Sequence, residues 1–112
     1  MPRIKVAPKE DRTWNNIVFD SKWEMQQYVN FTVLEKQGII RDLKRQVVFP
    51  LHAIRKHTGE QMQISKYIAD WTCIDDSGML RIFDAKGWRT AEYKRSKKWF
   101  EWEYWPLYIV EL

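Results

Sequence analysis

Ile64-Ser65-Lys66-Tyr67-Ile68-Ala69-Asp70-Trp71-Thr72-Cys73-Ile74 runs into Asp75-Asp76-Ser77-Gly78, and Met79-Leu80-Arg81-Ile82-Phe83-Asp84-Ala85-Lys86 follows. The outer stretches are rich in β-branched and aromatic residues, and the four residues between them have the chemistry of a tight turn. The sequence therefore predicts a β-hairpin whose second strand ends at Gly87. Side chains alternate between the faces of a strand. That rule puts Ile68, Asp70, Thr72 and Ile74 on one face, and Leu80, Ile82, Asp84 and Lys86 on one face of the partner strand. Asp70 and Asp84 each lie seven residues from Ser77, so pairing through this turn sets them side by side.

Two carboxylates among aliphatic neighbours are costly to bury unless a cation or strong hydrogen bonds compensate. A divalent cation relieves the repulsion of a close acid pair. Magnesium favours oxygen ligands and keeps several waters, one of which can attack a phosphorus while the metal steadies the phosphate charge. Lys86, on the face of Asp84, is placed to orient or deprotonate that water or to stabilise developing charge. For Asp84 and Lys86 alone, a structural ion pair is an equally good reading. Asp70 in register weighs against it.

Upstream, residues 1–16 are polar and basic with Pro2 and Pro8, and read as a flexible basic arm leading into a short strand at Ile17-Val18-Phe19. Ser21-x-x-Glu24 has the form of a capping box, with Phe19 as a hydrophobic staple. A helix is expected from there to Lys36 or Gln37, stopped by Gly38. Glu24 shares a stripe with Tyr28 and Phe31, so it is either a third acid of the same site or a capping residue bonded back to the main chain. Gln46-Val47-Val48-Phe49-Pro50-Leu51 reads as the first core strand and His57-Thr58-Gly59-Glu60 as a turn. His52 and His57 lack any catalytic arrangement.

Downstream, Thr90 caps a helix over Ala91 to Trp102, and Leu107 to Glu111 forms a last strand after Pro106. The order is helix, three strands, helix, strand: an α/β chain with one mixed sheet flanked by helices, residues 17–112 making a single domain. Thr90, Lys94 and Lys97 fall on one side of the second helix, with Lys98 one turn past Lys94, and could grip phosphates. Arg89 belongs to the same basic cluster. Tyr93, Phe100 and Tyr104 are expected to pack on the sheet, whereas Trp88, beside the acids, divides evenly between packing and stacking on a base.

The 112 residues carry a net charge of +4, 45% hydrophobic residues and seven tryptophans, so the chain reads as globular, basic and aromatic-rich. The single cysteine, Cys73, excludes an internal disulfide, and no Cys/His spacing suggests zinc. Without a signal-peptide pattern or a long apolar stretch, a cytoplasmic location and no membrane partner are expected.

Phe19-Asp20-Ser21-Lys22-x-Glu24, Gly38-Ile39-Ile40-x-Asp42-Leu43-x-x-Gln46, Tyr67-Ile68-Ala69-Asp70-Trp71 and Phe83-Asp84-Ala85-Lys86-Gly87 together resemble a phage-associated branch of the PD-(D/E)xK nuclease superfamily, the small DUF1064-type proteins. The resemblance covers roughly residues 17–112. It implies a restriction-endonuclease-like core. Glu24 would be the first-helix acid, Asp70 the first strand acid, and Asp84-Ala85-Lys86 the (D/E)xK triplet, with the Ala85 carbonyl as a further metal ligand. The proline that often precedes the first strand acid is replaced by Ala69. Gln46 matches a polar position that can lie near the site in related nucleases, although an ordinary strand-edge glutamine explains it slightly better.

The expected function is a Mg2+-dependent endodeoxyribonuclease, with Mn2+ as a substitute metal. The substrate is DNA, branched as at a Holliday junction or duplex, in phage recombination or replication within the host cytoplasm. Symmetric cutting of two strands favours a homodimer. The alternative is a non-catalytic DNA-binding or regulatory module on a nuclease fold, and RNA stays open as a substrate because phosphate contacts do not separate the two polymers.

Overall fold

The computed structural model describes residues 6–85 and 89–112. It is a mixed α+β structure with two helices, a four-stranded mixed sheet and a separate two-stranded sheet. Lys9–Arg12 form a 3-10 turn, followed by β1 (Thr13–Trp14) and β2 (Ile17–Val18), paired antiparallel. Asn15 and Asn16 make the turn between them, at φ 50° and 63°. Both centres of such a two-residue hairpin turn must be left-handed, and asparagine tolerates that region. Arg12 ties the hairpin down, donating from Nε to the Ala7 carbonyl and from Nη1 to the Phe19 carbonyl. Residues 9–16 of the segment expected as an arm thus form a 3-10 turn, a strand and a hairpin turn.

Helix α1 (Lys22–Lys36) starts where the capping chemistry places it: the Ser21 hydroxyl accepts the Glu24 N–H at 3.0 Å. It stops before Gly38, whose φ of +77° suits a residue without Cβ. Strand β3 (Arg41–Ile54) follows, far longer than the Gln46–Leu51 core read from the pattern, and pairs antiparallel with β4 (Gln61–Ile74). β5 (Leu80–Asp84) pairs antiparallel with β4, and β6 (Ile109–Glu111) lies parallel to β5 after crossing over through α2 (Ala91–Glu103). The sheet order is β3-β4-β5-β6. No described helix is long and apolar enough to cross a membrane.

The helices seed two cores. Tyr28 and Phe31 of α1 meet Phe19, Leu43, Trp71 and Phe83. Phe100 and Tyr93 of α2 meet Val47, Phe49, Leu51, Tyr67, Ala69, Ile82 and Ile109. Ile82 and Phe83 are consecutive on β5 and supply different cores, as alternation requires. On β4, however, Tyr67 and Ala69 pack with α2, whereas Trp71, of the same parity, packs with α1. On β3, Leu43 packs with the α1 core and Arg45 lies over its Phe19 ring, yet Val47 packs with α2. Both strands therefore change face at one register position, occupied by Gln46 and Asp70 between the pairs Arg45↔Trp71 and Val47↔Ala69. Gln46 has a left-handed φ of 53°, a backbone irregularity that breaks alternation.

This change corrects the expectation that Ile68, Asp70, Thr72 and Ile74 share one buried face. Asp70 and Thr72 are buried, while Ile68 is exposed, paired with exposed Val48. It also moves Gln46 from the start of a strand to its middle, directly across from Asp70.

Candidate active site

The β4–β5 hairpin sets the register of the two strand acids. Asp75 organises its turn: Oδ1 accepts the Ser77 N–H at 3.0 Å and the Met79 N–H at 2.9 Å, and Oδ2 accepts Arg81 Nε at 2.7 Å. The Ser77 hydroxyl also donates to Oδ1 at 2.7 Å. These contacts favour the ionised carboxylate and hold its pKa well below the usual range, the Ser77 hydroxyl bond contributing most, then the Met79 N–H. Gly78, at φ 83°, closes the turn. The resulting pairs are Ile74↔Leu80, Cys73↔Arg81, Thr72↔Ile82 and Trp71↔Phe83. One step further along that ladder come Asp70 and Asp84, the juxtaposition expected from their spacing.

Both acids are buried, Asp70 at 2% exposure and Asp84 at 0%. Asp70 Oδ2 accepts the Ala85 N–H at 2.8 Å, so the acid of one strand holds the main chain of the next. Tyr67 Oη donates to Asp84 Oδ2 at 3.3 Å. Burial, followed by the Asp84 charge, pushes the Tyr67 phenol up, so it stays protonated and acts as a donor. Tyr93 of α2 is also raised, by burial and then by Asp84. The Leu112 N–H donates to the Asp84 carbonyl, tying the end of the chain to this strand.

Glu24 brings a third carboxylate from α1, at 2% exposure. Its pKa is pushed up to about 7, first by burial, then by the negative charges of Asp70 and Asp20. Arg45 and a bond from the Asp20 main chain oppose the shift. The capping reading of Glu24 is thus met in part: its N–H is capped by Ser21, while its side chain bonds to the main chain of Asp20 rather than of Ser21. The remainder of its environment is electrostatic strain shared with Asp70.

Three elements, α1, β4 and β5, therefore deliver acids to one buried region. Among the described residues, no three His, Cys, Asp or Glu side chains close into a metal-binding group by themselves. The oxygen donors that the two strands bring to this region are the carboxylates of Asp70 and Asp84.

Lys86 and Trp88 lie outside the described residues. Arg89, Lys94, Lys97 and Lys98 line one depression of about 370 Å³ with Tyr93, Glu101 and Glu111. Arg89 pairs with Glu111, and Lys97 Nζ lies 2.8 Å from Glu101. Thr90 is committed to the helix, its hydroxyl accepting the Tyr93 N–H at 3.0 Å. Sequence reasoning missed Tyr67 and Arg45 as neighbours of the acids and assigned Tyr93 to packing alone. The face change at Asp70 hides Tyr67, because strict alternation would turn residue 67 away from Asp84.

Residues 7–110 match the model of a family described as a protein of unknown function (DUF1064). No curated protein and no solved structure matches the chain.

Proposed function

The chain belongs to the DUF1064 family, and we propose that it is a Mg2+-dependent endodeoxyribonuclease with a restriction-endonuclease-like core. The observation that carries this reading is the buried pair Asp70–Asp84, adjacent in register and joined by the Asp70 bond to Ala85 N–H. Burying two acids on neighbouring strands costs more than burying apolar residues there, even with hydrogen bonds from Ala85 and Tyr67. Mg2+, with Mn2+ as a substitute, would be held by Asp70, Asp84 and the Ala85 carbonyl. When bound it supplies an activated water and a counter-charge for the scissile phosphate.

The protein's own groups do the rest. Tyr67 fixes the Asp84 carboxylate in orientation through its hydroxyl. Glu24, whose pKa is pushed up to about 7 by burial and the neighbouring acids, would serve in its ionised form as a third ligand or as a proton acceptor for the attacking water. Lys86, two residues after Asp84 in the sequence, is assigned to orient that water or to steady the charge developing on the phosphate. Lys94, Lys97, Lys98 and Arg89 offer positive charge to phosphates flanking the scissile bond, and Trp88 is assigned to a flanking base. Gln46, across from Asp70, shapes the strand rather than touching substrate. The enzyme acts in the cytoplasm on duplex or branched DNA, as a homodimer when both strands are cut.

Cleavage of plasmid, flap and four-way-junction DNA with and without Mg2+ tests the reading. Wild type should cut only with the metal, and Asp84→Ala should lower the rate by at least about 10³-fold. Equal behaviour of the two on every substrate would leave a non-catalytic DNA-binding module.

A further inference from the structure

We propose that the outer face of α2 is a binding track for single-stranded nucleic acid, in which Arg95 and Lys98 take phosphates and Trp102 and Trp105 stack on bases. Trp102 and Trp105 are 80% and 81% exposed, more than any other large apolar residue described. Arg95, Lys98 and Trp102 follow one another at spacings of three and four, which places them on one helical stripe about 10 Å long at 1.5 Å per residue. Trp105 lies two residues past the helix end.

Charge on this face is unbalanced. Among the described residues Lys94, Arg95 and Lys98 make no ion pair. Of the acids of α2, Glu92 is exposed one turn before Arg95, whereas Glu101 and Glu103 are engaged elsewhere. Glu101 accepts Lys97 Nζ and the Ile109 N–H, and Glu103 accepts both the main-chain N–H and the ring of His52. A groove of about 320 Å³ runs between Arg95, Lys98, Trp99 and Trp102. Its floor is fixed, because Trp99 Nε1–H donates to the His52 carbonyl at 3.1 Å.

The occupant follows from this chemistry. Every base offers a π-face and every phosphate a charge, so a single strand matches aromatic rings interleaved with cations without needing a sequence. A protein-docking patch would be poor in lysine at its centre, where this face carries Lys98. A membrane-lying helix needs a broad apolar face, and that of α2 is consumed by the sheet through Tyr93, Phe100 and Tyr104. Lys98 also lines the depression that reaches Tyr93 and Glu111, and Glu111 is the register partner of Asp84. The two hollows thus share one lining residue, Lys98. Binding of a strand on this face does not depend on the nuclease reading.

Binding is measured by fluorescence anisotropy of labelled dT12 and U12 strands in EDTA, where no cleavage occurs. Failure of this proposal then leaves the catalytic one standing, and the reverse. Trp102→Ala/Trp105→Ala should weaken single-strand binding at least tenfold, with Tm changed little because both rings are in solvent. Arg95→Gln/Lys98→Gln should reduce the slope of log K against log salt by about 1.4, at about 0.7 per phosphate lost. A loss on dT12 alone assigns the face to DNA and a loss on U12 alone to RNA, and either supports the track. Unchanged affinity for both strands overturns it. So does unchanged strand affinity accompanied by lost binding to phosphatidylserine vesicles or by conversion of a dimer to a monomer in sedimentation.

Discussion

β4 serves two hairpins, and they are built in opposite ways. Its inner end, Trp71–Ile74, pairs with β3 on one side and β5 on the other, and a carboxylate locks the following turn. Its outer end, Gln61 to Ile68, pairs with β3 alone. The outer turn is held by main-chain bonds between Arg55 and residues 59 and 60 and by an exposed Arg55–Glu60 pair. Ile54, Met62, Ile64, Ile68 and Val48 on this ribbon are all exposed. Both ends carry β-branched and apolar residues, although the outer end alternates them with Gln61, Gln63, Ser65 and Lys66. What differs is cover: α1 and β5 lie against the inner end, α2 reaches Tyr67 and Ala69, and Asp70 falls where the two covers meet. An apolar residue such as Ile64 does not by itself mark a site wall; its neighbours do.

The strongest way to test this contrast is to empty one large side chain at the inner end. Trp71 is fully buried, with Tyr28, Phe31 and Phe83 rings 5.4, 5.5 and 6.5 Å away. Trp71→Ala should cost about 3–5 kcal/mol, through lost burial and the cavity left behind. That is a large part of the stability of a small domain. Denaturant titration reads it directly, and a loss below 1 kcal/mol would show that the two ends of β4 are not energetically distinct.

Next in size is the strain of burying Glu24 beside Asp70. The folded pKa of about 7 exceeds the ordinary value of 4.5, so between these two pH values the folded state holds a proton that the unfolded state has lost. Without metal, stability should therefore fall as pH rises from about 4.5 to 7, by on the order of 2–3 kcal/mol. Glu24→Gln should remove the fall, as seen in thermal melts in EDTA across that range. An identical pH profile for both proteins would place Glu24 in a relaxed environment, and with it the inner site.

Much of the inner hairpin was legible in the sequence. Asp75-Asp76-Ser77-Gly78 is a local signal, and a turn centred at one residue fixes every pair beyond it, so Asp70 beside Asp84 followed from counting. Ser21 and Thr90 marked both helix starts for the same reason: a cap is a short-range hydrogen bond. The face change at Gln46 and Asp70 was not legible. It depends on where two helices dock on opposite sides of the sheet, and a glutamine at positive φ carries no sequence mark. The length of β3 was hidden too, since Arg41 to Arg45 and His52 to Ile54 lack the apolar run that signals a core strand. Residues 9–16 looked like an arm because they hold little apolar surface, whereas their order comes from Arg12 bonding two carbonyls and from the Asn15–Asn16 turn.

The smallest effect belongs to the outer end, and it is the sharpest test of the contrast because the expected answer is near zero. Ile64 lies on β4, the strand that carries Trp71, and is also β-branched and apolar, but it is 56% exposed. It sits at a register shift between Leu51↔Ser65 and His52↔Gln63, where no partner residue lies across from it. Ile64→Ser removes little surface that folding had buried. The change should stay within about 0.5 kcal/mol, as for surface positions away from special features. The measurement needs two protein concentrations. An effect that remains small at both confirms a ribbon in solvent. A loss above 1 kcal/mol that grows with concentration would mean that a second chain covers the ribbon, because association stabilises only the folded state and does so by mass action. The difference between the two ends of β4 would then belong to the single chain and vanish in its assembly.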